Sequence, residues 1–271
     1  MSYQNIAKPI MQYLSHFEEP KVLEIGVDRG QTALPICHNL SLLDRPFLYE
    51  GVDIKLRDDV ILSVSAMAKL YSLATEPGLG FHNVAFYERN SLDFLAEAID
   101  NARKYNLILI DGDHNYYTVY KELELAQHLA LPSTIIICDD YNTNWADKDL
   151  YYSEREEYKD NELATKRQET ENAGVRPAVN NFIKESNGKW KVLPGLGIES
   201  DYCILYQREN VLDMRYHMPP LITLASSGIL EIYFDKSKCP EVNEDLLINL
   251  DYIYERPAAR PYQKTQGEQN G

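Results

Sequence analysis

The feature that most limits what this chain can fold into is a rhythm. Short β-branched or aromatic runs alternate with longer amphipathic segments along most of its 271 residues. Runs of that kind separated by helical patterns are βα units, which build an α/β fold with a largely parallel, doubly wound sheet. Strands are predicted at Lys21–Val27, Tyr49–Ile54, Asn83–Arg89, Asn106–Asp111, Ser133–Asp139, Lys189–Leu193 and Tyr202–Gln207. Helices are predicted at Gln31–Leu40, Asp58–Ala74, Leu92–Ala102, Thr118–Leu129 and Arg176–Glu185. Leu123, Ala126 and Leu129 give the fourth helix an apolar face. Pro132, which has no amide hydrogen, is expected to end it.

One connection breaks the rhythm. Between the fifth strand and the last helix, residues 142–174 are rich in Tyr, Asp and Glu and far exceed the usual two to six residues of such a loop. A long insertion at the carboxyl end of a sheet strand is where lids sit, so a lid is expected here rather than a plain surface excursion. The domain is expected to span 1–208. Residues 209–271 form a C-terminal extension with Pro219-Pro220, a hairpin within Leu221–Phe234 and a disordered tail from Glu255. That extension is where a homo-oligomer contact is expected.

Composition removes several classes of partner. With 27 Lys plus Arg against 42 Asp plus Glu the formal charge is −15, so the field repels phosphate and no nucleic-acid partner is expected. The 44% hydrophobic and 25% charged content is that of an ordinary globular chain. No apolar run approaches the roughly 20 residues of a membrane span, and no membrane partner is expected. Met1–Leu14 lacks the basic head and apolar block of a secretion signal, so a cytoplasmic location is expected. Cys37, Cys138, Cys203 and Cys239 form no C-x-x-C pair and read as reduced, packed thiols.

The chemistry is expected at the strand ends. The first strand enters the turn Glu24-Ile25-Gly26-Val27-Asp28-Arg29-Gly30, whose glycines allow close approach to a nucleotide-like ligand. Asp28 stands where a dinucleotide fingerprint has its second glycine, and its charge would repel a pyrophosphate. An adenosyl group with a positive sulfonium suits Glu24, Gly26, Asp28 and Gly30 better. Asp53, closing the second strand, can accept both ribose hydroxyls, and Asn90 and Ser91 could meet the adenine edge. Taken alone, Asp53 could equally cap the next helix.

Two apolar strands then end in carboxylates, Ile110-Asp111 and Cys138-Asp139-Asp140. If the strands are neighbours about 5 Å apart, Asp111, Asp139 and Asp140 converge. Three such carboxylates stay ionised together only around a cation. Oxygen ligands without cysteine suit Mg²⁺, with Mn²⁺ or Ca²⁺ behind it. The competing reading is that the aspartates cap the helices that follow.

The set E-I-G-x-x-x-G, V-D, I-D-G-D-H-x-Y-x-x-V-x-x-E-L and D-D-Y, with Gly174-Val175-Arg176-Pro177-Ala178-Val179, resembles a class I S-adenosylmethionine-dependent methyltransferase over about residues 20 to 208. More narrowly it is similar to the metal-dependent O-methyltransferases of macrolide and aminocoumarin sugars, distant relatives of catechol O-methyltransferase. The resemblance implies a Rossmann-like methyltransferase sheet, S-adenosyl-L-methionine as cofactor, Asp53 on the ribose, and Asp111, Asp139 and Asp140 as metal ligands. Asp111 would also border the cofactor. Relatives place the base at the position of Asp113 or of His114, and this chain has both. His114 is preferred on intrinsic pKa, with Asp113 orienting it. The implied acceptor is a small molecule, a sugar or a vicinal diol or catechol-like compound. An NAD-linked or nucleotide-sugar enzyme, or a methyltransferase-like assembly module without catalysis, are the alternatives.

Overall fold

The computed structural model describes residues 10–11, 13–43, 45–74, 83–192 and 201–207. The strands are β1 (Lys21–Ile25), β2 (Leu48–Asp53), β3 (Asn83–Glu88), β4 (Tyr105–Ile110), β5 (Ala130–Cys138), β6 (Trp190–Val192) and β7 (Cys203–Gln207). The helices are α1 (Ala33–Ser41), α2 (Asp58–Ala74), α3 (Ser91–Asp100), α4 (Tyr116–Leu129) and α5 (Val175–Glu185). They form one seven-stranded sheet in the order β3-β2-β1-β4-β5-β7-β6. Neighbours from β3 to β5 are parallel, and β7 runs antiparallel to both β5 and β6. This is a Rossmann-like, doubly wound sheet with an antiparallel edge. The predicted hairpin, tail and Cys239 lie outside the described residues.

Alternation along the strands builds two cores. Val22, Tyr49, Leu107, Leu109, Ile135 and Ile137 face α1 and α2 with Ile36, Leu40, Val60 and Val64. Leu23, Ile25, Val52, Ile108, Ile110 and Ile136 face α3, α4 and α5 with Phe94, Leu95, Leu123, Ala126 and Phe182. A period of two puts successive residues on opposite faces, and both faces are covered, so the central strands are mostly apolar, with Glu24, Glu50 and Asn106 among the buried exceptions. Cys37, Cys138 and Cys203 are buried free thiols, and Cys138 sits opposite Cys203 in the ladder.

The end of α4 agrees with the sequence reading, but β5 begins at Ala130 rather than Ser133. Helix α4 ends at Leu129 and the chain is already extended at Ala130, with φ −74° and ψ 137°. Pro132 therefore lies inside β5 rather than ending a helix. The pairing jumps there from Tyr105↔Ala130 to Leu107↔Ile135, so the proline falls in an irregular stretch with no ladder bond to lose.

Under β2, Glu50 is buried and accepts hydrogen bonds from Tyr87 (2.8 Å), Tyr105 (2.6 Å) and Arg103 (2.8 Å). An amide in its place keeps one acceptor oxygen, turns the other into a donor that faces a donor, and removes the charge that pairs with Arg103. Glu50→Gln is expected to lower the unfolding free energy by about 3 kcal/mol in urea titration.

Candidate active site

The order β3-β2-β1-β4-β5 reverses direction between β1 and β4, and a crevice opens at the carboxyl ends of strands at such a point. Gly26 begins the turn there with φ +88°. A Cβ on it would lie 2.1 Å from the Asp111 carbonyl oxygen, so only glycine lets the turn rest against the end of β4. Asp53 holds the turn from the other side. Its Oδ2 accepts the amides of Val27 (2.8 Å) and Asp28 (2.9 Å), and its Oδ1 accepts that of Lys55 (2.9 Å). Burial raises the Asp53 pKa and these amides oppose the rise.

The crevice is a cleft of about 380 Å³. Gly26, Asp28, Asp53, Asn90, Ser91, Asp111 and Asp113 line it. Two residues of the glycine turn expected at the ligand do not. Glu24 is buried below the turn, bonded to the Tyr49 hydroxyl, and burial lifts its pKa to about 8. Gly30 faces α2, where a Cβ would meet Val60 at 2.6 Å.

Asn90 and Ser91 reach the cleft but are already engaged. Asn90 caps α3 by accepting the Leu92 amide at 2.9 Å. Its Nδ2 donates to the Leu163 carbonyl (2.8 Å) and to Thr165 Oγ1 (3.1 Å), so it ties the insertion to the sheet instead of offering a free amide. Ser91 Oγ donates to Glu122 Oε1 at 2.6 Å.

The three aspartates at the ends of β4 and β5 separate into two groups. The Asp139 side chain hydrogen-bonds that of Asp111, while burial and the Asp140 charge raise its pKa. Asp140 turns away with φ +58°, bonding Thr143 Oγ1 at 2.5 Å and pairing with His114 Nδ1 at 3.1 Å. Among the described residues no three His, Cys, Asp or Glu side chains are grouped to hold an ion. The expected three-aspartate metal site is not found among the described residues, and the Asp140 carboxylate is engaged by His114 and Thr143.

His114 is buried between Asp140 and the Tyr152 hydroxyl, which lies 3.4 Å from Nε2. Burial holds its pKa below the ordinary value, against the Asp140 and Asp139 charges. Asp113 does not orient it, as expected from sequence; that place is taken by Asp140. Asp113 instead accepts Thr118 Oγ1 at 2.9 Å, and burial lifts its pKa to about 6.

The insertion forms part of the cleft wall through Tyr152, Arg155, Glu157, Tyr158, Ala164 and Thr165. It is anchored at several points. Asp149 Oδ1 accepts the amides of Tyr116 and Gly174, both at 2.8 Å. Asn161 donates to the Ile54 carbonyl at 2.8 Å, and the Leu150 amide bonds the His114 carbonyl at 3.1 Å.

The sequence places Tyr151-Tyr152 near the mouth, and Tyr152 lines the cleft, but Arg155 and Glu122 are not legible as wall residues. Arg155 comes from the insertion, where no periodicity marks a facing side. Glu122 did carry a signal, a carboxylate on the apolar face beside Val119, Leu123 and Ala126. It is fully buried, its Oε2 has no partner, and burial lifts its pKa to about 8.

The sheet order and the cleft at its switch point define a Rossmann-like α/β fold. Residues 23–141 match the family model described as a methyltransferase domain. No curated protein matches the chain. Among solved structures it is similar to CalS11, a TDP-rhamnose 3'-O-methyltransferase, at 11% identity over 74% of this chain and 78% of that one, with a TM-score of 0.49. It is also similar to the O-methyltransferase TomG of Streptomyces achromogenes, at 13% identity over 73% and 78%, TM-score 0.41. The Podospora anserina methyltransferase PaMTH1 shows 16% identity over 76% and 80%, TM-score 0.43. Among the described residues no helix is long and apolar enough to cross a membrane.

Glu24 and Glu122 keep their protons to about pH 8 in the native state, whereas an ordinary glutamate loses its proton near 4.5. Between those values the unfolded chain binds fewer protons, so stability falls as pH rises. The melting temperature is expected to decline from roughly pH 5 to pH 8, and Glu122→Gln to flatten that decline.

Proposed function

We propose that the chain transfers a methyl group from S-adenosyl-L-methionine to a hydroxyl of a small molecule. The observation that carries the reading is the cleft itself, walled by Asp28, Asp53, Asp111 and Asp113 over the turn that only Gly26 permits, with a buried histidine beside it. At the glycine turn the Asp28 and Asp53 carboxylates favour a sulfonium ligand and disfavour the pyrophosphate of an NAD-type cofactor, although Arg29, Lys55, Arg57, Arg89 and Arg155 line the same cleft. Asp53 retains one lone pair, on Oδ1, for a ribose hydroxyl while it holds the turn. When bound, the cofactor supplies an electrophilic methyl group on sulfur.

His114 acts on the acceptor. Its burial keeps the imidazole neutral near pH 7, and Nε2 faces the Tyr152 hydroxyl that borders the cleft. Nε2 would take the proton that the acceptor hydroxyl gives up on methylation, with S-adenosylhomocysteine as the other product. Asp140, on Nδ1, stabilises the imidazolium that forms. A second reading has Asp113 as the base, favoured by its place in the cleft wall and its pKa of about 6.

A divalent ion fits the donor chemistry in part. Two carboxyls that hydrogen-bond each other share a proton that a hard cation would replace, and Asp111 with Asp139 would hold it. Asp140 joins them only by leaving His114. Such an ion would lower the pKa of the acceptor hydroxyl.

Calorimetry with S-adenosylhomocysteine is expected to show saturable binding, and Asp53→Ala to weaken it about tenfold or more. With a panel of catechols and sugars, assayed by S-adenosylhomocysteine release, His114→Ala is expected to lower turnover about 10²-fold or more with cofactor affinity unchanged. Full activity in His114→Ala with loss in Asp113→Asn would establish the second reading. Activity undiminished by EDTA would remove the metal from the account.

A further inference from the structure

Residues 154–157 of the insertion read Glu-Arg-Glu-Glu, and each glutamate is engaged by a cation other than its arginine neighbour. Glu154 binds Arg167 at 2.8 Å, Glu156 binds Lys159 at 2.6 Å, and Glu157 lies 3.9 Å from Lys55. Arg155 is flanked by acids and, among the described residues, paired with none. The other cations lining the cleft differ: Arg29 pairs with Asp28 at 4.0 Å, Arg57 with Asp59 at 3.3 Å, Lys55 with Glu157, and Arg89 with Glu97.

Among the described residues, the contact made by the Arg155 guanidinium is with the face of Tyr152, 5.5 Å from the ring centroid. A contact with a ring face uses no carboxylate acceptor, so the guanidinium keeps N–H donors that can fork onto carboxylate or phosphate oxygens. In a chain of net charge −15, an arginine left unpaired among glutamates is available to a ligand anion. Its location says which ligand. Tyr152 carries the guanidinium on its face and puts its hydroxyl 3.4 Å from His114 Nε2, so the cation stands one ring away from the proposed base.

We infer that the acceptor carries an anionic group, a carboxylate or a phosphate, near the hydroxyl that is methylated, and that Arg155 holds it. The inference rests on the methyl-transfer reading and narrows it to a substrate class. Arg155 acts as a specificity-determining residue, since it touches no reacting atom. The same N–H edge could instead serve the carboxylate of the cofactor's amino-acid end, and the test separates the two.

Benzoate and inorganic phosphate are titrated calorimetrically into the full chain, with and without S-adenosylhomocysteine, for wild type, Arg155→Ala and Arg155→Lys. The expected result is saturable binding of at least one anion, weakened about tenfold in Arg155→Ala and less in Arg155→Lys, with S-adenosylhomocysteine affinity unchanged. Which anion binds distinguishes carboxylate from phosphate. Equal anion affinity in wild type and Arg155→Ala, or no anion binding to wild type, overturns the inference. A loss confined to S-adenosylhomocysteine affinity overturns it too, by assigning Arg155 to the cofactor. Failure of wild type to bind S-adenosylhomocysteine at all counts against the methyl-transfer reading, and the anion titrations without it are read independently.

Discussion

The site depends first on what the Asp53 carboxylate does at the end of β2. Three backbone amides, from Val27, Asp28 and Lys55, converge on its two oxygens. Each would otherwise be an unpaired donor in a half-buried turn, at a cost of about 1–3 kcal/mol. The carboxylate thus fastens the loop after β1 to the loop after β2, while contact of Gly26 with the Asp111 carbonyl fastens it to β4. Three strand ends are brought into register by one side chain and one missing Cβ. The cleft is the space left above them.

The insertion completes that space from the opposite side. Its anchors are polar and distributed: Asp149 on two amides, Asn161 on the Ile54 carbonyl, Asn90 on Leu163 and Thr165, and the Leu150–His114 backbone bond. The last of these links the insertion to the residue proposed as base. Its aromatic rings, Tyr152 and Tyr158, pack edge to face at 5.3 Å and carry cations on their faces. Acidic residues of this segment therefore do more than solvate it; they neutralise neighbouring cations selectively and leave Arg155 available.

Much of the framework is legible in the sequence because it follows from periodicity. Val22, Leu107 and Ile135 share one face of the sheet and Leu23, Ile108 and Ile136 the other, as alternation requires. Asp53 and Gly26 are legible as site residues from their place after apolar strands. What was not legible depends on contacts distant in sequence. Asn90 is taken by carbonyl and hydroxyl groups of the insertion, and no local pattern announces them. The Asp140 carboxylate is engaged by His114 and Thr143, and no local pattern announces the histidine. Pro132 misled because its missing amide bars helix and central strand alike, while an irregular stretch of β5 accommodates it.

The most direct test of the account is the crystal structure of the chain grown with S-adenosylhomocysteine. The account predicts the ribose against Asp53, the adenine towards Ser91 and the thioether sulfur on the side of the cleft nearest Tyr152 and His114. Clear density for the ligand elsewhere, or an arrangement that leaves Asp53 and the Gly26 turn without contact to it, would contradict it.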